Sequence, residues 1–135
     1  EKGLAFNLDI GGRLGVVKVS RLYLEEILQN FITNAIRYTQ KGSITLSIKK
    51  NKSGEITFKV IDTGIGISKA DIAKIFDKFY RAEDYRTRET KGTGLGLYVS
   101  AKLAKKLGCK IEVESRLNHG STFGFKLKEF KNNDK

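Results

Sequence analysis

Apolar residues recur along this chain with two periods, and the periods divide it into elements. Leu24, Ile27, Leu28, Phe31, Ile32, Ala35 and Ile36 stand at i, i+3, i+4, i+7, i+8, i+11 and i+12. That spacing lays one apolar stripe on a helix and predicts an α-helix over about 21–38, with Ser20 as its N-cap. Elsewhere the period is two. Residues 4–10 alternate, Gly11-Gly12 reads as a turn, and 14–19 reads as a second short strand, so the two are expected to pair as a hairpin. Ile44, Leu46 and Ile48, then Ile56, Phe58 and Val60, mark two more strands joined by a turn at 51–54. Ser68 is placed to cap a short helix over 69–78, whose Ile72, Ile75 and Phe76 face inward.

The C-terminal third begins with a second long helix, over 95–107. It is apolar over most of its surface and is therefore expected to be well buried, with Gly108 stopping it at C′. Strands over 109–115 and 121–128 follow, with a turn at Asn118-His119-Gly120. Residues 81–91 are charged and aperiodic, and are expected to form a mobile loop within a lid over about 77–93. The polar tail 129–135 is expected to fray. The order ββ-α-ββ-α-lid-α-ββ predicts an α+β two-layer sandwich. Its mixed, mostly antiparallel sheet is covered on one face by three helices.

Composition narrows the reading. A chain of 135 residues with 39% apolar side chains is expected to form one domain with a real core. No apolar run approaches the ~20 residues that span a bilayer. The chain opens on Glu1 rather than Met, so it is expected to be a piece of something longer. The single cysteine, Cys109, reads as a small apolar residue at a strand entry rather than a reactive thiol. No Cys/His spacing suits zinc. The net charge of +11 raises the question of nucleic acid. The lysines are scattered, however, and the charge reads as a solvated basic surface with no nucleic-acid partner expected.

Three stretches carry candidate chemistry. Asn30 and Asn34 are stacked at i and i+4 on the edge of the apolar stripe, with Arg37 beyond them. They suit a polar ligand or a metal needing neutral oxygens, and equally a pair of surface amides. Asp62-Thr63-Gly64-Ile65-Gly66-Ile67 closes a strand with a carboxylate and two flexible residues. It is either an Asx-type turn or a buried acceptor for a ligand amine. Gly92-Thr93-Gly94-Leu95-Gly96-Leu97 feeds a helix N-terminus, where free N–H groups and the helix dipole suit phosphate. The same pattern serves as a flexible turn, and it is neither a Walker loop nor a dinucleotide fingerprint.

Taken in order, these motifs resemble the catalytic and ATP-binding domain of sensor histidine kinases, a branch of the GHKL superfamily with the Bergerat fold. The likeness covers nearly the whole chain. Asn30 to Thr39 resembles the N box, Asp62 to Gly66 the G1 box, and Ile75 to Arg81 the F box. Gly92 to Leu97 resembles the G2 box, and Gly120-Ser121-Thr122-Phe123 the terminal glycine-threonine motif. The resemblance implies ATP and Mg²⁺ as cofactors. It implies that Asp62 accepts from the adenine amino group with Thr122 near the base, and that Asn34 holds Mg²⁺ with Asn30 assisting. Arg37 is then on phosphate and Tyr38 packed on the nucleotide, while Gly64 and Gly66 hinge the lid and Ile67 and Phe79 line the site. Gly92, Thr93, Gly94, Leu95, Gly96 and Leu97 close over the phosphates. Asn30, Asn34 and Arg37 are the implied catalytic group.

Position 30 separates reaction classes within that superfamily. The ATP-hydrolysing branches and the serine-kinase anti-sigma factors carry a glutamate base where this chain has Asn30. Asparagine is no base at neutral pH, so fast hydrolysis and serine phosphorylation are disfavoured. A histidine acceptor needs less help, because neutral imidazole already carries a lone pair. Glu26, one turn earlier, is the remaining candidate for a water-mediated base. Ser68 stands where the family often has proline, which loosens that turn. The only histidine, His119, lies in a turn and not in a phosphoacceptor helix. The resemblance therefore implies an acceptor histidine on a dimerisation domain upstream of Glu1, and a response regulator reached through it. It also implies a cytoplasmic setting in a bacterial sensor kinase, and an isolated domain that is monomeric and does not label itself.

Overall fold

The computed structural model describes residues 3–11, 17, 19–77 and 96–129. Among these, five strands and three helices follow in the order β1 (Ala5–Ile10), α1 (Arg21–Tyr38), β2 (Ser43–Lys50), β3 (Glu55–Asp62), α2 (Lys69–Ile72), α3 (Gly96–Leu107), β4 (Glu112–Arg116) and β5 (Gly120–Lys128). The strands form one sheet in the order β1-β2-β3-β5-β4. Only the β1–β2 pair is parallel. This is the expected α+β fold with a mixed, mostly antiparallel sheet.

α1 forms where its stripe predicts. Ser20 Oγ accepts the amide N–H of Tyr23 at 3.2 Å and closes the N-terminus. Ile27, Phe31 and Ala35 are buried against the sheet. Phe31 lies 5.5 Å from Phe123 and 6.1 Å from Phe125, ring centre to ring centre, and Phe125 stacks on Phe58 at 5.0 Å. This aromatic layer joins α1 to β3 and β5, and so fixes the helix that carries Asn30 and Asn34.

Five expectations are corrected. β1 does not take its partner from the next stretch of chain; residues 17 and 19 are not strand, and 12–16 and 18 lie outside the described residues. Instead β1 runs parallel to β2, with Phe6, Leu8 and Ile10 beside Ile44, Leu46 and Ile48. A parallel pair needs a crossover, and α1 supplies it. Alternation reveals a strand's faces but not its neighbour, which is why the pattern suggested a hairpin. α2 stops at Ile72 and continues as turns closed by i→i−3 bonds, Lys74 N–H to Asp71 and Asp77 N–H to Lys74, each 2.9 Å. Ile75 is still buried there. α3 buries only Ser100 and Ala104, because it lies along α1 and turns Lys102, Lys105 and Lys106 outward. Beyond it, Gly108 at φ +80° and Cys109 donate back to Lys105 and Ala104 as a Schellman cap, so β4 begins at Glu112 rather than at 109. Glu129 is held rather than frayed: its N–H donates to the Gly54 carbonyl, and its carboxylate meets Lys50 at 3.2 Å. The expected lid, Asp77 apart, and the tail 130–135 lie outside the described residues.

Candidate nucleotide site

Strand β3 ends by placing Asp62 on the helix side of the sheet, in line with buried Val60. The residue is 6% exposed. Oδ1 accepts the N–H of Gly64 at 2.9 Å and that of Ser121 at 3.2 Å. Burial pushes the Asp62 pKa up, against the pull of the Gly64 and Ser121 amides and the Thr39 hydroxyl. The group is thus both an Asx-type turn and a buried acceptor, the two readings its sequence left open. Both lone pairs of Oδ1 are occupied by backbone donors. A carboxylate has about four acceptor sites, so with Thr39 as one further donor, capacity remains for a ligand N–H.

The loop after Asp62 is gripped from two sides. Ile65 N–H donates to the Tyr38 carbonyl at the end of α1, and a Cβ on Gly64 would lie 2.2 Å from that same oxygen. On the other side Ile67 N–H donates to Ser115 Oγ at 2.7 Å, and Asn118 N–H donates to the Ile65 carbonyl at 2.6 Å. Gly66 sits at φ +74° with its Cα against the Arg116 carbonyl, a place no side chain fits. Ile67 is half-buried against the core.

The β3–β5 register decides between two neighbouring hydroxyls. Asp62 pairs with Ser121, and Ile61 with Thr122. Directly paired residues share a face. Ser121 is therefore beside Asp62, buried, with its Oγ 2.7 Å from Ser115 Oγ. Thr122 points to the opposite face, with Ile61 and Glu114. Of the two hydroxyls it is therefore Ser121, and not the expected Thr122, that lies beside Asp62. The parity of Phe123, Phe125 and Leu127 already carried that signal, since odd positions face the core. A depression of about 300 Å³ at this end of the sheet is lined by Ile61, Glu114 and Thr122 as well as by Asp62 and Ser121, so it includes the face turned away from the helices.

The asparagines lie on α1 across from the start of α3. Asn30 Nδ2 donates to the Gly96 carbonyl at 3.2 Å and to Ser100 Oγ at 3.1 Å. Arg37 Nη1 donates to Asn34 Oδ1 at a long 3.5 Å. Asn30, Asn34, Arg37 and Tyr38 are all partly exposed along one flank of the helix. The structure thus brings Asn30 together with Gly96 and Asn34 with Arg37. Leu97 packs on the core edge. Phe79, Gly92, Thr93, Gly94 and Leu95 lie outside the described residues. Ser100, buried and bonded to Asn30, was missed by the sequence reading, because a serine inside an apolar helix carries no periodic signal.

Among the described residues no cluster of three or more His, Cys, Asp or Glu is placed to hold a metal. The donors on hand are the amide oxygens of Asn30 and Asn34. They suit a hard cation that keeps waters and shares phosphate oxygens, as Mg²⁺ does. His119 is exposed in the β4–β5 turn, its N–H donating to the Arg116 carbonyl at 2.8 Å. Burial raises the Cys109 pKa, which keeps it a thiol, but it caps α3 rather than entering a strand.

Residues 20–131 match the family described as histidine kinase-, DNA gyrase B-, and HSP90-like ATPase. The chain belongs to this family. Within this ATPase family its likeness is to sensor kinases. It is 39% identical over 125 residues to the aerobic respiration control sensor protein ArcB of Escherichia coli, covering 91% of this chain and 16% of that protein. It is 36% identical over 129 residues to the sensor histidine kinase WalK of Bacillus subtilis, covering 94% of this chain and 21% of that protein. The chain thus spans about a fifth or less of these curated relatives. Among solved structures, full-length ShkA in complex with AMPPNP superposes with a TM-score of 0.81 at 29% identity, over 93% of this chain and 26% of that one. The catalytic domain of the histidine kinase ThkA, nucleotide-free, gives 0.77 at 28% identity over 95% of this chain and 82% of that one. This family member is a catalytic domain of the sensor-histidine-kinase type. No helix among its described residues is long and apolar enough to cross a membrane.

Proposed function

We propose that this domain binds Mg-ATP beside Asp62 and donates the γ-phosphoryl group to a histidine on a separate dimerisation domain. The observation that carries the reading is the Asp62 carboxylate, buried and clamped by two backbone amides yet retaining acceptor capacity. An adenine amino group is the matching donor. Ser121, beside it, takes the position next to the base. The phosphates then extend toward Asn30, Asn34 and Arg37, with the glycine-rich stretch 92–96 supplying backbone donors. Asn34, assisted by Asn30, would hold Mg²⁺, which supplies neutralisation of the charge on the transferring group.

Asn30 also sets the reaction class. Its amide accepts no proton at neutral pH, and both its N–H groups are already engaged by Gly96 and Ser100. No general base is thus offered to a water or a serine at this position. An imidazole acceptor brings its own lone pair. A response regulator would be the next acceptor, through that separate domain, in a bacterial cytoplasm. When γ-labelled ATP is mixed with the purified chain alone, no acid-labile label is expected on it, nor any change with His119→Ala. Label is expected on the dimerisation domain when that domain is added. Stable label on the isolated chain would refute the reading.

A further inference from the structure

We propose that Ser100 is a positioning residue for Asn30, turning the asparagine's carbonyl oxygen toward the cation and phosphates. The inference rests on the Mg-ATP reading above. Asn30 Nδ2 carries two hydrogens, and two acceptors stand at 3.2 and 3.1 Å, the Gly96 carbonyl and Ser100 Oγ. A backbone carbonyl only accepts, so the atom facing Gly96 is the nitrogen and the amide has one orientation. Ser100 is completely buried, and its hydroxyl is held in place by the seam between α1 and α3. With both N–H groups engaged on α3, the amide has only Oδ1 left to offer, and among the described residues no donor meets that oxygen.

Gly96 lies beside the amide. A methyl added there would lie in ordinary contact, 4.0 Å from Oδ1 and 3.9 Å from Cγ. An amide restricted in this way acts as a hard-oxygen acceptor and not as a donor to phosphate. Ser100 touches neither nucleotide nor metal; it acts through Asn30. Its loss leaves one tether of two, so the side-chain torsions of Asn30 loosen and Oδ1 is aimed for less of the time.

The test is ATP affinity of the full 135-residue chain measured in Mg²⁺ and again in EDTA, for wild type, Ser100→Ala, Asn30→Ala and the double variant. One neutral hydrogen bond is at stake, so the Mg²⁺-dependent gain in affinity is expected to fall by about fivefold in Ser100→Ala. Affinity in EDTA is expected to stay within about twofold. In the Asn30→Ala background the serine substitution is expected to change the Mg²⁺ gain no further. Equal loss with and without Mg²⁺, no loss, or an undiminished effect in the Asn30→Ala background would each overturn the role. If the wild type binds no ATP in either condition, the Mg-ATP reading itself fails, a result distinct from these.

Discussion

Asp62 carries its charge at a cost. Burial raises its pKa above the ordinary carboxylate value, so its contribution to stability is greatest when it is protonated. That contribution is fully present below the unfolded-state pKa of about 3.9 and is lost as pH rises through the higher folded-state value. Asp62→Asn keeps an oxygen for the Gly64 and Ser121 amides and removes the buried charge. The nucleotide-free variant is therefore expected to melt above wild type at neutral pH, with the gap closing as pH falls toward 4. Thermal melts of both proteins across that range check the sign. The neighbouring hydroxyls make a second residue-level test. Ser121 shares the face of Asp62 and bonds to Ser115, whereas Thr122 faces away. Ser121→Ala is expected to weaken ATP binding by about three- to tenfold, the size of one hydrogen bond, and Thr122→Val by less than twofold. Titration calorimetry of the two variants separates them. Asp62 was legible in the sequence because a carboxylate followed by glycines at a strand end is unusual. Ser121 was legible only through strand parity, and Ser100 not at all, because its partner lies 70 positions away.

At the scale of elements, a site is built where three of them are stapled together. The loop 63–67 bonds to the end of α1 on one side and to the β4–β5 turn on the other. Gly64 is one tight point of the loop, since a Cβ would fall 2.2 Å from the Tyr38 carbonyl. Backbone cannot yield there as a flexible side chain does. Gly64→Ala is expected to destabilise the chain by about 2 kcal/mol or more and to abolish ATP binding. Denaturant unfolding together with a binding assay measures both. α1 was readable because its stripe is long and regular, and the antiparallel β2–β3 pair because a short turn joins it. The parallel β1–β2 contact was not, since a crossover partner leaves no mark in local alternation. α3 misled for a related reason. Its apolar surface is spread over α1 and the core edge, and only Ser100 and Ala104 are covered completely.

Across the whole molecule, the sheet and helices divide the labour. The aromatic layer of Phe31, Phe58, Phe123 and Phe125 fixes α1 on β3 and β5. That one contact sets the distance between the acceptor at Asp62 and the amides of Asn30 and Asn34. The histidine to be phosphorylated is proposed to lie on another domain, in keeping with a chain that matches 16% and 21% of the sensor proteins it resembles. Everything in this account depends on nucleotide binding at Asp62 with adenine recognised through its amino group. Guanine presents a carbonyl oxygen where adenine presents that donor. The deciding measurement is the thermal melt of the chain with Mg-ATP or Mg-GTP, for wild type and Asp62→Asn. ATP at about 100 times its Kd is expected to stabilise wild type by ~2.7 kcal/mol. GTP at the same concentration is expected to shift the wild-type melt far less, and ATP to leave Asp62→Asn almost unmoved. A wild-type melt unshifted by saturating Mg-ATP, or shifted equally in Asp62→Asn, would contradict the account.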